Sequence, residues 1–429
     1  MIRDAGEMQI NSNQLTQLYD FSLFIKCYRH DSGYKLKEIA SDFGIDQSKF
    51  NRIENNRIPH DLKFEKRFLE YFNINLNKFL EVDRFYTDLY NELLDDVILL
   101  EHRGIYEKIS NKIHNYKNKS SLFSPMEYII LFVSSRFDDK RRNKERVKLE
   151  KKYINFIDKH LEYYNYNVQK IYLCLKALYL ENMNKYKEAF SLITYVQNNL
   201  PAGKKSDCVI YSYALFIGND CSFHFPASEY YYVGKDICLQ YGSIKRMIHL
   251  GLNYASYLRN IKSYHEALKI DLYYLKIANQ LKEAETLIAS LEYNLGLDYQ
   301  NFKDYETSYY YFDKTLPFFN DGDSYFQVIY TLYHLERYDE LEKIYLESKS
   351  NSNIDPLNQD KIDFIYYLYF NQDDKCEDLI KHMLENHYSA LSLQDKKALL
   401  LYIEEYYESK KNEDKLLKYI QMENELNQL

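Results

Sequence analysis

The sequence predicts an all-α protein: a small N-terminal domain built on two short helices and a tight turn, followed by a long α-solenoid of stacked helix pairs. Three observations lead there. The 429 residues include only 11 Gly and 6 Pro, too few turn residues for a β protein of this size. Residues 29–59 hold two amphipathic segments that meet at a glycine. Beyond about residue 95, a tyrosine-centred motif returns every 33 to 41 residues or so, the period of stacked helix pairs.

The first element is the stretch RHDSGYKLKEIASDFGIDQSKFNRIENNRIP (29–59). Between Lys35 and Phe43, the apolar residues Leu36, Ile39, Ala40 and Phe43 share one helical face. Gly44-Ile45 breaks that pattern with a residue able to take the backbone angles of a sharp turn. Asp46 stands where an N-cap belongs, its carboxylate placed to accept from the next turn's free amides. Gln47–Asn55 then buries Phe50 and Ile53 and turns Gln47, Ser48, Asn51 and Arg52 outward. Amides, a hydroxyl and a guanidinium are the groups that read base edges in a major groove.

These residues resemble the helix-turn-helix of XRE/Cro-type repressor domains over roughly Leu18–Leu80. Arg29, Gly33, Glu38, Ile39, Ala40, Gly44, Ile45, Arg52, Ile53, Glu54 and Pro59 follow that family's order and spacing. The resemblance implies a salt bridge between Arg29 and Glu54 that ties the first helix to the recognition helix. Two positions depart from the pattern. Leu36 stands where a polar, phosphate-touching residue usually opens the second helix, and Asn56 replaces the usual glycine after the recognition helix. Asparagine tolerates the left-handed conformation better than most residues. The segment 18–80 carries 11 Lys/Arg and 9 Asp/Glu, a net of +2 against −8 for the whole chain. DNA binding therefore has to come from placed residues: Lys35, Lys37, Gln47, Ser48, Lys49, Asn51, Arg52 and Arg57.

Composition sets further bounds. A chain of this length exceeds one ordinary core, so several units or a repeat array are expected. Tyr (47) and Phe (24) are abundant and Trp is absent, which assigns much of the tyrosine to packing between helices. The six cysteines are scattered without a Cys-x-x-Cys pair and read as reduced thiols of a cytoplasmic protein. No apolar run approaches membrane-spanning length and no secretory leader pattern opens the chain. Residues 1–17 read as a polar arm, 18–80 as the helix-turn-helix domain, 81–94 as a helical linker and 95–429 as the repeat domain.

Within 95–429 one theme recurs: GIYEKI (104–109), NKYKEAF (184–190), KSYHEAL (262–268), KDYETSY (303–309) and ERYDELE (336–342). A polar turn precedes Tyr, then charged residues, then a small or apolar one. Weaker copies fall near Arg146–Lys151, Phe225–Tyr230, Lys375–Ile380 and Asn412–Leu417. Small residues in the first helix of a unit precede small residues in the second: Ala177 before Ala189, Ala255 before Ala267, Gly296 before Ser308. These units resemble tetratricopeptide repeats, eight or nine of them, which implies a right-handed superhelical α-solenoid of TPR-like helix pairs. An irregular α-solenoid of another type is the competing reading.

In such a stack the first helices line the concave surface. Repeat registration aligns Asn253 with Asn294, and one heptad later aligns Asn260 with Asn301, with Asn182 matching in an earlier unit. Residues seven apart share a helical face, so these amides would form two rows able to hold an extended peptide backbone. Tyr213, Phe216, Tyr293, Gln327 and Tyr330 would supply side-chain pockets. The competing role for Asn260 and Asn301 is simply to end their helices.

A helix-turn-helix followed by TPR-like repeats resembles the RRNPP regulators, cytoplasmic receptors for imported signalling peptides in quorum sensing or mobile-element communication. The resemblance implies a homodimer on a palindromic double-stranded DNA operator, controlled by a short peptide in the concave groove. The alternative within the same resemblance is a TPR scaffold that holds a protein partner such as a response regulator, with DNA binding secondary. No enzyme motif, phosphate-binding glycine loop or cofactor signature is found, and no membrane partner is implied. Lys140–Lys152 reads as a solvated basic face, and Asn320–Asp323 as a turn lacking the ligand order of a calcium loop. No metal is assigned: His382 and His387, five apart, do not share a helical face.

Overall fold

A computed structural model describes residues 15–100, 104–118, 120, 122–137, 144–221 and 225–426, with the backbone alone over 144–147. The expected arm therefore lies almost wholly outside the described residues, as does the start of the basic run at 140–143. The described chain is all-α. Its single β pairing is an isolated antiparallel bridge between Tyr19 and Tyr164. The contacts divide it into two compact units, Met1–Tyr179 with Ser191–Ile210, and Leu180–Phe190 with Tyr211–Leu429.

The first unit opens with α1 (Phe21–Asp31), α2 (Leu36–Asp42), α3 (Gln47–Glu54), α4 (Leu62–Tyr71) and α5 (Leu76–Leu99). Each start has a chemical cause. Asp20, Asp46, Asp61 and Asn75 accept amide hydrogens from the first turns of α1, α3, α4 and α5. The turns between them use positive φ at Gly33 (74°), Gly44 (62°), Asn56 (49°) and Asn73 (54°). Phe21, Phe24, Phe50, Phe68 and Phe79 form a fully buried centre, with Phe24 and Phe79 edge-to-face at 4.9 Å. Apolar residues keep helical spacing through Phe79, Val82, Tyr86, Leu89, Leu93 and Val97, so α5 continues unbroken past residue 81. Then follow α6 (Ile105–Lys117), α7 (Met126–Arg136), α8 (Lys144–His160), a 3₁₀ turn (Leu161–Tyr163) and α9 (Tyr166–Glu181). Lys148, Lys151 and Lys152, on the described part of the basic run, are exposed.

From there run α10 (Tyr186–Asn199), α11 (Asp207–Cys221), α12 (Ala227–Gln240), α13 (Ile244–Asn260), α14 (Tyr264–Ala278), α15 (Glu285–Asn301) and α16 (Tyr305–Phe319). They are followed by α17 (Gly322–His334), α18 (Tyr338–Ser350), α19 (Pro356–Tyr369), α20 (Asp373–Asn386), α21 (Leu393–Ser409) and α22 (Glu413–Leu426). The repeat is written in the backbone. Asn184, Lys262, Lys303, Glu336, Asn371 and Lys411 each hold positive φ between 52° and 61° in the turn between two helices. Five residues after the first five of them come Ala189, Ala267, Ser308, Leu341 and Cys376, all fully buried. This corrects the register of the weaker copies, which begin at Asn371 and Lys411; the position is small at Ala189, Ala267 and Ser308 and takes a larger Leu at 341. At Gly296 the fit is tight: an added Cβ would lie 2.6 Å from the Phe312 ring, and Ser308 donates to the Gly296 carbonyl at 2.9 Å.

Tyrosines pack between helices as their number predicts. Tyr345 stacks on Tyr366 at 3.6 Å and Tyr231 on Tyr254 at 4.2 Å, while the Tyr231 and Tyr274 hydroxyls share a hydrogen bond of 2.9 Å. None of the six cysteines forms a disulfide, and burial pushes the Cys27, Cys221 and Cys376 thiols up to about 12, out of the reactive range. No helix among the described residues is long and apolar enough to cross a membrane. The Asn320–Asp323 segment ends α16 and caps α17: Asn320 is left-handed at φ 48°, and Asp321 accepts from the Ser324 amide at 3.0 Å.

Candidate DNA-reading face and peptide groove

On α3, Phe50 and Ile53 are buried while Gln47, Ser48, Lys49, Asn51 and Arg52 are exposed. Lys35 and Lys37 at the start of α2, and Arg57 beyond α3, are exposed as well. All eight residues singled out for DNA thus meet solvent. The Asp46 carboxylate accepts from the Ser48 amide at 2.7 Å and fixes the start of α3. Without a polar residue at 36, α2 is capped from within, the Lys35 amide donating to Glu38 at 3.0 Å. Asn51 is held by its neighbour, the Asn55 amide donating to its side-chain oxygen at 2.8 Å.

The recognition helix is braced from several sides. Arg29 Nη2 lies 2.8 Å from Glu54 Oε1, and Glu54 is almost wholly buried. His60, in the loop after α3, lies 3.1 Å from Asp20 and 3.0 Å from Glu65. Burial alone would lower its pKa, but the hydrogen bonds to those two carboxylates prevail and raise it to about 9. The third brace was not anticipated from sequence. Tyr163, from the 3₁₀ turn after α8, donates its hydroxyl hydrogen to the Glu54 carbonyl at 3.0 Å. Lys26 donates to the Tyr163 hydroxyl at 3.0 Å and to Asn55 Oδ1 at 2.9 Å. Nearby, the Asp20 amide donates to the Tyr163 carbonyl, and the Asn165 amide to the Leu18 carbonyl at 2.9 Å. A single tyrosine in a tyrosine-rich chain carries no local signal for such a partner.

The expected groove residues separate into three kinds. Asn253 and Asn294 lie mid-helix and half-buried, but their amide hydrogens are engaged within the protein. Asn253 donates to the Ser212 carbonyl at 2.9 Å, and Asn294 to Asp271 at 3.4 Å. Asp271 belongs to a buried triad with Arg259 (2.7 Å) and Asp298, which lies 3.0 Å from the same guanidinium. Asn260 and Asn301 are the last residues of α13 and α15, and Asn301 donates back to the Leu297 carbonyl at 2.8 Å. Asn182 is exposed in the turn after α9. All three thus stand at or just past the end of a helix, and the Asn260 Nδ2 atom is buried with no hydrogen-bond acceptor.

The aromatic set divides as well. Tyr213 and Phe216 lie in the middle of α11, with Phe216 exposed and the Tyr213 ring 5.5 Å from the Arg246 guanidinium and 6.0 Å from His249. Tyr293 donates to Asp323. Gln327 and Tyr330 meet α21: Gln327 donates to the Tyr402 hydroxyl at 3.4 Å, and Tyr330 to Glu405 at 2.5 Å. Beside them is a cavity of about 260 Å³, lined in part by Tyr330, His334, Tyr402 and Glu405. The same helix reaches α13, where Gln394 donates to Ser256 at 3.3 Å and Lys397 to the Asn260 carbonyl at 2.9 Å. So α21 lies against the α17 members of the set, while Phe216 of α11 stays exposed; nothing local in the sequence singles α21 out.

Comparison with known proteins agrees with both halves of this description. The profile of a helix-turn-helix domain matches residues 24–82. No curated protein sequence matches the chain. Among solved structures, a Rap protein complexed with competence and sporulation factor superposes with TM-score 0.65 at 14% identity, over 80% of this chain and 98% of that one. NprR in complex with its cognate peptide NprX gives TM-score 0.58 at 12% identity, over 80% and 99%. The apo form of the quorum sensor NprR from B. thuringiensis gives 0.56 at 13%, again over 80% and 99%. At such identities the likeness is one of fold: the chain has the helical-repeat architecture of these proteins and carries a helix-turn-helix domain.

Proposed function

We propose that this chain is an RRNPP-type transcriptional regulator, a cytoplasmic receptor whose DNA binding is set by a short signalling peptide. Its domains are the helix-turn-helix at 18–80, a helical linker at 81–94 and a peptide-binding repeat domain at 95–429. The observation that carries the reading is a combination at α3. One face of this helix offers Gln47, Ser48, Asn51 and Arg52 to solvent, while its last turn is hydrogen-bonded to Tyr163 of the helical array. A head meant only to bind DNA needs the first feature. A head meant to be controlled needs the second.

In this reading Lys35, Lys37, Lys49 and Arg57 hold phosphates, and Gln47, Ser48, Asn51 and Arg52 meet base edges. Two heads of a homodimer take the half-sites of a palindrome. The peptide enters beside Tyr213, Phe216 and Asn253 and exchanges its own contacts for those that α21 makes with α13 and α17. Consecutive helix pairs pack chiefly on one another, so once the α21 contacts to α13 and α17 are exchanged, a small change of tilt accumulates along the array. The peptide shifts the population of curvatures by its differential affinity for them. The fold shared with NprR, solved in complex with its cognate peptide NprX, supports this choice of ligand class.

The test is a binding experiment on the full chain, with synthetic peptides of about five to ten residues drawn from small secreted precursors encoded beside the gene. Peptide capture by the wild type that weakens at least about tenfold in Asn253→Ala or Tyr213→Ala, a loss of ~1.4 kcal/mol, supports the reading. Stable capture of a folded response regulator, with no peptide binding, would instead establish the scaffold role.

A further inference from the structure

We propose that Asp360, His382 and His387 form a binding site for one divalent transition-metal cation of the Zn²⁺ type. The sequence spacing argued against it, because histidines five apart point to different sides of a helix. The structure removes that objection. Helix α20 ends at Asn386, and His387 lies just beyond it, at φ −117° and ψ −38°, where the chain turns into the 3₁₀ segment Tyr388–Ala390. Its ring swings back toward His382, with centroids 5.5 Å apart and planes crossed at 74°, so the imidazoles converge rather than stack. Asp360 arrives from α19.

The ligand atoms are close to coordination distance from one another. Asp360 Oδ2 lies 2.8 Å from His382 Nδ1 and 3.4 Å from His387 Nε2, and the three atoms fall within 4.8 Å of one another. A tetrahedral Zn²⁺ with bonds of about 2.0 to 2.1 Å sets its ligand atoms about 3.3 Å apart, which the two Asp360 distances bracket. The His387 Nε2 atom is also sealed from solvent and makes no hydrogen bond, facing the Asp360 carboxylate at 3.4 Å with its lone pair or proton unused. Asp360 is mostly buried, whereas the His382 side chain is 52% exposed and leaves a path of entry. Two imidazoles and one carboxylate select a borderline cation over Mg²⁺ or Ca²⁺, and three protein ligands leave a fourth position for water. Bound there, the ion joins α19, α20 and the elbow that leads into α21.

Co²⁺ and Zn²⁺ titrations of the chelator-treated full chain test the site. The expected result is one equivalent of Co²⁺ with the visible spectrum of a tetrahedral centre, free of a thiolate charge-transfer band and displaced by Zn²⁺. Zn²⁺ should also raise the melting temperature by a few degrees. Both effects should fall by about tenfold or more in His382→Gln and in His387→Gln. His382 is exposed enough that its variant folds regardless. Equal Co²⁺ binding by the wild type and His382→Gln, or a thiolate band that places the ion on cysteines, overturns the proposal, as does the absence of stoichiometric binding.

Discussion

The Tyr163 hydroxyl donates to the Glu54 carbonyl at 3.0 Å across 109 residues of sequence, joining the last turn of the recognition helix to the helical array. The phenol is almost wholly buried, so its partners matter more than its rim. Tyr163→Phe leaves the Glu54 carbonyl unpaired by the array and costs about 1–3 kcal/mol locally. The expected outcome is faster hydrogen exchange at the amides of Asn55–Arg57, with the rest of the head unchanged. In a DNA-binding assay the variant keeps its affinity but responds less to peptide.

The proposed roles of Arg52 at a base edge and Lys35 at a phosphate have different signatures. Arg52→Ala should weaken operator binding by about 1–3 kcal/mol, roughly 5- to 150-fold, and relax sequence preference at one position. Lys35→Ala should weaken operator and non-operator DNA alike and lower the slope of log K against log salt by about 0.9. Fluorescence anisotropy over a salt series distinguishes the two.

The His60 cluster makes a pH prediction. Its folded pKa is raised to about 9 from an ordinary 6.5 by the hydrogen bonds to Asp20 and Glu65, which outweigh burial. A raised pKa means that the protonated ring stabilises the fold. That contribution is whole below pH of about 6.5 and is lost as pH climbs through about 9. Comparing denaturation of the wild type and His60→Asn across that window should show the difference between them shrinking toward alkaline pH. A constant difference would remove the charged cluster from the account.

Packing between repeat helices is tested at Gly296. The Cβ of Gly296→Ala would meet the Phe312 ring at 2.6 Å, with the Ser308 hydrogen bond beside it, so neither helix can simply slide. The variant should lose about 1–3 kcal/mol by overpacking, read from chemical denaturation. Ala at exposed positions of the same helix should change little.

What the sequence disclosed follows the range of the forces involved. Local signals translated directly: Asp46 caps α3, Gly44 takes the left-handed turn, and the tyrosine motif marks helix starts at Tyr186, Tyr264, Tyr305 and Tyr338. The weaker copies slipped register because Asp373 and Glu413 stand where tyrosine would mark the start, leaving only the positive-φ turn to define it. Pairings over long separations left no trace. Nothing near Tyr163 names Glu54, and nothing near Tyr330 names Glu405. The asparagine rows were legible as a pattern, yet where each amide hydrogen goes depends on the neighbouring helix, at Ser212 for Asn253 and Asp271 for Asn294.

The most direct measurement is the dissociation constant of the purified full chain for duplex DNA from its own promoter region, at low salt, with and without the peptide encoded beside the gene. A head governed by its repeats binds that duplex in preference to scrambled DNA, and saturating peptide moves the constant about tenfold or more, a coupling of at least ~1.4 kcal/mol. A chain that ignores the duplex in both conditions, or binds it with one constant whatever the peptide, contradicts the account.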